Sequence, residues 1–337
     1  MALKTRKPTG IPSWPLILIE GEEKSGKSWS CAEFSGCDRV GETYWIELGE
    51  GRVDEYGAIP GADYNIVEHD GTWASILDAV IEVGLIGKQE LAAGRKPVVL
   101  VIDSMTAEWD ILKGWAELRA RSSEKSRKKL EADPDAYIDV TTNYWNDANS
   151  RHRKLMQLLM TFPGIALMTA RGKLAAEMDK KGQPTGEMEY KVEGQKHLAF
   201  DASAWVRLSR ERPPQVIGVT STHIKHRPGI DQPKPAPNFS IEWLVFDVLK
   251  CGQDSAVRGL ISPSSTEEPV RPQVSSAQIT EYEEKLARDG ITMDEVNSLQ
   301  NEARHAGEYD TAGKKRMREA IEAAKQRIAR NAIEEAA

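Results

Sequence analysis

The sequence predicts an α/β fold built around a central, mostly parallel sheet. Apolar residues recur at helical spacing, as at Ile76, Leu77 and Val80, in the segments between strand-like runs. Because strand and helix patterns alternate, parallel strands with helices on the sheet faces are expected. The short apolar runs that have the length of strands buried on both faces lie at residues 16–19, 44–46, 98–102 and 165–168.

The later part of the chain predicts additional strands, followed by a separate helical domain. Strands are expected at 204–208, 216–226 and 241–248, and the prolines between them favour an antiparallel arrangement at this end of the sheet. Beyond them the composition becomes rich in Ser, Pro and Glu without periodicity, as in linkers. For a chain of 337 residues we expect three regions: a core over 1–262, a flexible linker over 263–278 and a small helical C-terminal domain over 279–337.

The C-terminal region carries helix signals of its own. Thr292 and Glu295 have the spacing of a capping box, in which each residue satisfies a backbone N–H of the other. Further along, a heptad-like apolar stripe is formed by Met317, Ile321, Ala324 and Ile328. These patterns predict three short helices that pack on one another or on a neighbour.

Composition and charge restrict the class of protein. The hydrophobic share of 40% and the charged share of 29% are typical of a globular chain. The formal net charge of -7 excludes a uniformly basic coat, so any contact with nucleic acid has to use local basic patches. The three cysteines lack the spacing of a disulfide set or a zinc site, and the apolar run at 14–19 is too short to span a membrane. We therefore expect a cytoplasmic location.

A glycine-rich loop follows the first predicted strand. The sequence GEEKSGKS at 21–28 matches G-x-x-x-x-G-K-[ST], and a helix is predicted to start directly after it. Such a loop cradles phosphates with backbone N–H groups, while Lys27 neutralises phosphate oxygens and the Ser28 hydroxyl ligates magnesium. ATP and Mg²⁺ are therefore the expected cofactors, and the residues expected to bind them are Gly21, Glu22, Glu23, Lys24, Ser25, Gly26, Lys27, Ser28 and Trp29.

An aspartate ends the third apolar run and is the expected partner of the loop. Asp103 follows the strand predicted at 98–102, where a carboxylate can hold the magnesium ion together with Ser28. The next residue is Ser104, so the glutamate that often follows such an aspartate is missing. Glu47 and Glu50, after the second strand, are the candidates for orienting the attacking water, and Glu50 is preferred.

These three motifs, in this order along the chain, resemble the RecA-like core of P-loop ATPases. Within that superfamily, residues 15–249 are most similar to the phage-encoded single-strand annealing and recombination ATPases of the Sak-four group. The resemblance implies ATP bound between the subunits of a ring or filament, single-stranded DNA as partner, and possible contact with a phage single-strand DNA-binding protein in the host cytoplasm. It also implies a polar sensor at the end of the fourth strand, where Thr169 and Arg171 lie.

A basic motif further along is similar to the Lys-Asn-Arg-Phe-Gly motif of RadA proteins. Lys225 and Arg227 match its basic positions, whereas His226 and Pro228 depart from it. By this resemblance Lys225 and Arg227 would act as cations on the nucleotide of a neighbouring subunit.

Two segments could contact DNA. Residues 171–196 follow the sensor strand, where RecA-like cores carry a mobile DNA loop, and a solvated β-hairpin is the alternative. The cations expected to contact phosphates there are Lys173, Lys180, Lys181, Lys191 and Lys196. Residues 113–129 are also basic, but a solvated helical face is the stronger reading. Aromatic side chains are expected to be scarce in both segments.

Several function classes remain open at the level of sequence. The leading hypothesis is an oligomeric, ATP-dependent single-stranded-DNA protein of recombination or annealing. A hexameric helicase-type motor on the same core is the nearest alternative. An assembly or signalling switch that uses ATP without touching DNA belongs to a different class, and a small-molecule kinase is disfavoured because no lid motif is visible.

Overall fold

The computed structural model describes residues 5–179, 182–220, 232–260, 274–306 and 309–335. The chain divides into two compact units, residues 1–260 and residues 261–337. The first unit is an α/β core and the second is helical. Within the described residues, no helix has both the length and the apolar character needed to cross a membrane.

One sheet organises the first unit. Its parallel part runs in the order β3, β2, β4, β5, β1 and β7, and β8 and β9 continue it antiparallel. The predicted α/β class with a mostly parallel central sheet is confirmed. The strands are β1 (Leu16–Gly21), β2 (Thr43–Glu47), β3 (Asn65–Ile66), β4 (Val98–Asp103), β5 (Gly164–Met178), β6 (Pro184–Glu193), β7 (Ala204–Leu208), β8 (Gln215–Val219) and β9 (Lys234–Pro235).

Helices cover both faces of the sheet. One face packs against α1 and against a π-helical turn at Trp243–Val248, and the other packs against α3, α4 and α6. Strands β1 and β4 are buried along their whole length, which explains why their sequences are continuous apolar runs rather than alternating ones. The helices are α1 (Lys27–Ser35), α2 (Val53–Tyr56), α3 (Trp73–Ala92), α4 (Met105–Arg121), α5 (Glu124–Ala132), α6 (Thr142–Met160) and α7 (Leu198–Asp201).

The register of the parallel strands brings their carboxyl ends to one edge. Strand β5 lies between β1 and β4, so that Thr169 of β5 is paired with Ile19 of β1. On the other side of β4, Asp103 is paired with Glu47 of β2. The end of β1 at Gly21 therefore shares an edge with the ends of β2 and β4, and polar residues from several strands meet there.

Strand β5 continues beyond this edge as one half of a hairpin with β6. From Arg171 onward its pairing partner is β6, in an antiparallel register that joins Leu174 to Tyr190. The hairpin leaves apolar side chains in solvent, among them Leu174, Met178 and Met188. The described residues of this segment, 171–179 and 182–193, thus pair as an antiparallel ribbon, and its contact with DNA stays a prediction.

Two strand predictions need correction. The segment 241–248 is helical, with a π-helical turn at Trp243–Val248, so its prediction as a strand was wrong. The buried residues of this segment recur at helical spacing and pack into the core; they are Ile241, Leu244, Val245 and Val248. The helical spacing was not recognised, because the residues between them are also largely apolar. The strand predicted at 216–226 is shorter in the structure, since β8 ends at Val219, and residues 221–226 lie outside the described part.

The second unit contains three helices: α8 (Ser276–Ala287), α9 (Met293–Ala306) and α10 (Thr311–Glu335). They share a small apolar core that includes Leu286, Val296 and Ala324. The capping box at the start of α9 is present: the Glu295 N–H donates to the Thr292 hydroxyl at 3.3 Å, and the Thr292 N–H donates to the Glu295 carboxylate at 2.9 Å. Helix α8 begins at Ser276, so residues 276–278 of the predicted linker form its first turn, while residues 261–273 lie outside the described part.

Two glycines in α3 test the packing of this helix against the start of β5. A Cβ added to Gly87 would lie 2.7 Å from the Pro163 carbonyl oxygen, whereas a Cβ on Gly84 would meet nothing within 4 Å. We expect Gly87→Ala to lower the free energy of unfolding by about 1–3 kcal/mol, because the backbone has to move. Gly84→Ala should raise it by about 0.5–1 kcal/mol, because glycine disfavours helices. Urea-denaturation midpoints measure both, and shifts in the same direction would contradict the described packing.

Candidate nucleotide site

The loop between β1 and α1 has a tightly constrained backbone. A Cβ on Gly21 would lie 2.3 Å from the Leu208 carbonyl oxygen of β7, so only glycine fits there without displacing the neighbouring strand. Lys24 and Gly26 have positive φ angles of 57° and 92°, which curl the loop before α1 starts at Lys27. The N-terminus of α1, with its unpaired backbone N–H groups, adds positive potential at the end of this curl.

Lys27 lies folded over the loop. Its Nζ donates hydrogen bonds to the Gly21 carbonyl at 3.0 Å and to the Glu22 carbonyl at 2.8 Å. Burial lowers the pKa of Lys27, and the nearby carboxylates of Asp103, Glu50 and Glu20 oppose that shift. A charged acceptor such as a phosphate oxygen forms a stronger hydrogen bond than a neutral carbonyl and would compete well for this ammonium group.

Asp103 is the buried acidic group that faces the loop. It is 4% exposed, and its Oδ1 accepts a hydrogen bond from the Thr169 hydroxyl. Burial raises the pKa of Asp103, while hydrogen bonds from Thr169 and Ser28 favour the ionised carboxylate and lower it. The peptide bond between Asp103 and Ser104 is cis.

The donor groups at this edge fit a magnesium ion and a phosphate chain. Ser28 and Asp103 both line the cavity and offer the hydroxyl and carboxylate oxygens that Mg²⁺ prefers. Within the described part of the chain, the buried Ser25 hydroxyl in the same loop has no hydrogen-bond partner, which leaves a donor for a phosphate oxygen. Ser28 and Asp103 would hold the metal, and the loop would hold the phosphates.

The two candidate glutamates have different surroundings. Glu47 uses its Oε1 to accept hydrogen bonds from the backbone N–H groups of Glu50 and Gly51, so it shapes the loop after β2. Glu50 accepts two hydrogen bonds from the Arg171 guanidinium, at 3.2 Å from Nε and 2.6 Å from Nη2. The hydrogen bond to Glu50 is the main reason why the pKa of Arg171 is raised. Of the two carboxylates, Glu50 is the one that faces the loop across the cavity.

A cavity of about 740 Å³ lies between these groups. From the predicted set, it is lined by residues 23–29 of the loop and by Glu50, Asp103 and Arg171. The Glu22 side chain instead accepts a hydrogen bond from the Ser209 hydroxyl at 2.8 Å, beyond β7. The lining residues that sequence reasoning did not select are Arg52, Glu55, Tyr56, Ser104, Gly172 and Glu193.

Glu20 is a second buried carboxylate that the sequence did not single out. It directly precedes Gly21, is fully buried, and accepts hydrogen bonds from Arg207 Nε at 2.6 Å and Trp205 Nε1 at 3.2 Å. Burial raises the pKa of Glu20, and Arg207 opposes that rise. An acidic residue at the end of an otherwise apolar strand was the available signal, because such a group needs a buried partner.

The cations proposed to contact DNA have mixed environments. Lys173 forms an ion pair of 2.5 Å with Glu193 across the hairpin, and Lys191 and Lys196 are exposed. Tyr190, the ring in this segment, is covered by the Arg207 guanidinium at 3.9 Å from its centroid. The remaining positions, Lys180, Lys181, Lys225 and Arg227, lie outside the described residues.

The fold and this edge of the sheet define the core of a P-loop NTPase: a curled glycine loop leads from a buried strand into a helix, and an aspartate ends a second parallel strand. No protein-family model matches the chain, and no curated protein matches it. Among solved structures, the chain is similar to an ATPase from the type III secretion system of pathogenic bacteria, at 18% identity and a TM-score of 0.35. The likeness covers 60% of this chain and 54% of that one, about half its length, and is too weak to support an activity.

Replacing Thr169 tests the protonation of Asp103. Thr169→Val removes a hydrogen bond that favours the ionised carboxylate, so the pKa of Asp103 should rise further above its ordinary value. Because a protonated Asp103 cannot ligate Mg²⁺, affinity for a magnesium–nucleotide complex should be lost at a higher pH on acidification than in the wild type. Titrations of a fluorescent nucleotide with Mg²⁺ across pH measure this shift.

Thr161→Val is the matched control, because its hydroxyl donates to the Gln157 carbonyl at 2.8 Å, at the end of α6, and not to Asp103. If affinity for the magnesium–nucleotide complex is lost at the same pH in Thr169→Val as in the wild type, the role given to the Thr169 hydrogen bond is contradicted.

Proposed function

We propose that this protein is a magnesium-dependent ATPase that hydrolyses ATP in the cavity between residues 21–28 and Asp103. The observation that carries the proposal is the convergence of Lys27, Ser28, Asp103 and Glu50 on one cavity of about 740 Å³. These residues come from three parts of the chain, namely the start of α1, the end of β4 and the loop after β2, and their chemistry is complementary: one ammonium, one hydroxyl and two carboxylates. That combination is the minimum set for holding a metal-bound triphosphate and orienting a water molecule.

Each of these residues has a role that follows from its position. Ser28 and Asp103 hold the metal, which when bound neutralises charge on the phosphates. Lys27 leaves the carbonyls of Gly21 and Glu22 for the β- and γ-phosphate oxygens, since a phosphate is the stronger acceptor. Glu50 orients the attacking water from the opposite wall.

Glu50 is preferred to Glu47 because of what each carboxylate already binds. Glu47 is engaged by two backbone N–H groups, and reorienting it would leave both without an acceptor. Glu50 lines the cavity and is held by Arg171, which can position it and place a positive charge near the γ-phosphate. Arg171 therefore fits the polar sensor that the RecA-like resemblance implies.

The resemblance to RecA-like and Sak-four ATPases supplies the rest of the proposal. On that basis the nucleotide is ATP, the active form is a ring or filament, and Lys225 and Arg227 act on the nucleotide of a neighbouring subunit. Single-stranded DNA is the partner, in recombination or annealing, and a phage single-strand DNA-binding protein is a further candidate partner. No second function is favoured by a specific observation, so the motor and switch readings serve as outcomes of the tests below.

Substitution of Glu50 separates binding from hydrolysis. Glu50→Gln should retain affinity for ATP but lower turnover by about 100-fold or more, because the amide cannot act as a base. Glu55→Gln is the matched control, since Glu55 lines the same cavity and the change removes the same charge. Lys27→Ala should lose ATP affinity itself. Normal turnover in Glu50→Gln with slow turnover in Glu47→Gln would move the base to Glu47.

Turnover by the wild type should depend on protein concentration and on DNA. Because a neighbouring subunit completes the site, turnover per subunit should fall on dilution, and single-stranded DNA should raise it. ATPase assays across protein concentrations, with and without an oligonucleotide, measure both effects. Turnover that stays flat down to nanomolar protein would contradict the shared site. Turnover indifferent to DNA would favour the assembly switch, and strand displacement on a forked duplex would favour the motor.

A further inference from the structure

A pocket with aromatic and basic walls lies on the helical layer formed by α3, α4 and α6. Its volume is about 490 Å³, and none of its lining residues belongs to the nucleotide cavity. We name it the Trp73–Trp115 pocket, and its lining residues are Trp73, Trp115, Arg119, Asp147, Ser150, Arg151 and Lys154. The sequence expectation that aromatic side chains are scarce near 113–129 missed this arrangement, because Trp73 joins Trp115 only through the packing of α3 beside α4.

Arg151 is the central cation of the Trp73–Trp115 pocket. Its Cζ lies 4.2 Å from the ring centroid of Trp115 and 5.0 Å from that of Trp73, so the guanidinium is held between two indoles. Arg119 lies 5.8 Å from the Trp115 centroid, and Lys154 Nζ lies 6.0 Å from the Trp73 centroid. Contacts of this kind fix the position of a cation but do not neutralise its charge.

Among the described residues, these three cations lack carboxylate partners. Across the described residues, the ion pairs include neither Arg119, Arg151 nor Lys154. Asp147 is the one acidic residue in the lining. The chain has a net charge of -7, so acidic residues are in excess overall. A cluster of cations without acidic partners therefore makes the potential locally positive, and an anion can bind there.

The walls of the pocket also provide groups that can contact the planar ring of a base. In the described part of the chain, the Trp73 Nε1 donor is buried and has no hydrogen-bond partner. Both indoles are half-buried and both line the pocket, so they are held by the protein while part of each stays accessible. A planar guanidinium held in place is suited to bidentate contact with phosphate oxygens, and indole beside it is suited to contact with a base.

We propose that the Trp73–Trp115 pocket binds one nucleotide unit of a single-stranded nucleic acid. Arg119, Arg151 and Lys154 take the backbone phosphate, and the two tryptophans contact the base. A single strand is required because a duplex keeps its bases stacked and paired, out of reach of such a pocket. The proposal rests on the proposed function for the identity of the partner, and it adds a binding site outside the hairpin at 171–196 that the sequence favoured.

Charge-matched variants test the pocket in the full-length protein. The pocket variant carries Arg119→Gln, Arg151→Gln and Lys154→Gln, and the control variant carries Arg121→Gln, Lys125→Gln and Arg153→Gln at positions that do not line it. Anisotropy of a labelled oligothymidylate, measured across salt concentrations without ATP, gives the affinity and its salt dependence. Basal ATPase activity without DNA reports that each variant is folded.

The pocket variant should bind oligothymidylate about 100-fold more weakly, and the steepness of log affinity against log salt should fall by about 0.7, because contact with one phosphate is lost. The control variant should bind close to the wild type. Trp115→Leu should lower affinity about tenfold with little change in the salt slope, because contact with a base releases no counterions from the phosphate backbone.

The outcomes separate this proposal from the proposed function. Equal weakening in the pocket and control variants, or none in either, overturns the pocket while leaving the ATPase proposal intact. Absence of wild-type binding to oligothymidylate overturns both the pocket and the DNA part of the proposed function, whereas ATP hydrolysis stays separately measurable. Binding to vesicles of phosphatidylglycerol that is stronger than binding to DNA and is lost in the pocket variant also overturns it, in favour of a membrane surface.

Discussion

The burial of one carboxylate determines how the edge of the sheet is built. Asp103 lies almost fully inside the protein, and a buried charge is costly unless neighbouring groups donate hydrogen bonds to it. The Thr169 hydroxyl of β5 donates a hydrogen bond to it, and the Ser28 hydroxyl of α1 lines the same cavity. A single side chain thus ties the end of β4 to the neighbouring strand β5. The arrangement holds the carboxylate where a cation can bind it, because moving it away would leave a buried charge without its hydrogen-bond donor.

The strand order explains why these groups can meet. Because β5 is inserted between β1 and β4, Thr169 has the loop on one side and Asp103 on the other. The same strand brings Arg171 to Glu50, two residues further on. The Thr169–Asp103 and Arg171–Glu50 contacts join distant parts of the sequence, and both depend on the position of β5 in the sheet.

The sequence was informative where the signal is local. The loop at 21–28, the buried strands and the Thr292 capping box depend on residues a few positions apart, and each could be read directly. Segment 241–248 failed because a short apolar run fits a strand and a buried helical turn equally well. The choice between Glu47 and Glu50 depends on the path of the backbone around glycines 49 and 51, and the Arg151 contact with two indoles depends on helix packing. Neither leaves a pattern in the sequence.

Strand β5 connects the interior to the solvent without a break. Its first residues are buried in the sheet, and its later ones form the exposed hairpin with β6 that carries Leu174 and Met188. In an antiparallel ribbon, hydrogen-bonded and non-hydrogen-bonded residue pairs alternate along the two strands. One continuous strand therefore carries both Thr169 and Arg171 at the cavity and the exposed apolar side chains of the hairpin. The anchoring of the hairpin in the sheet thus shares its backbone with the wall of the cavity.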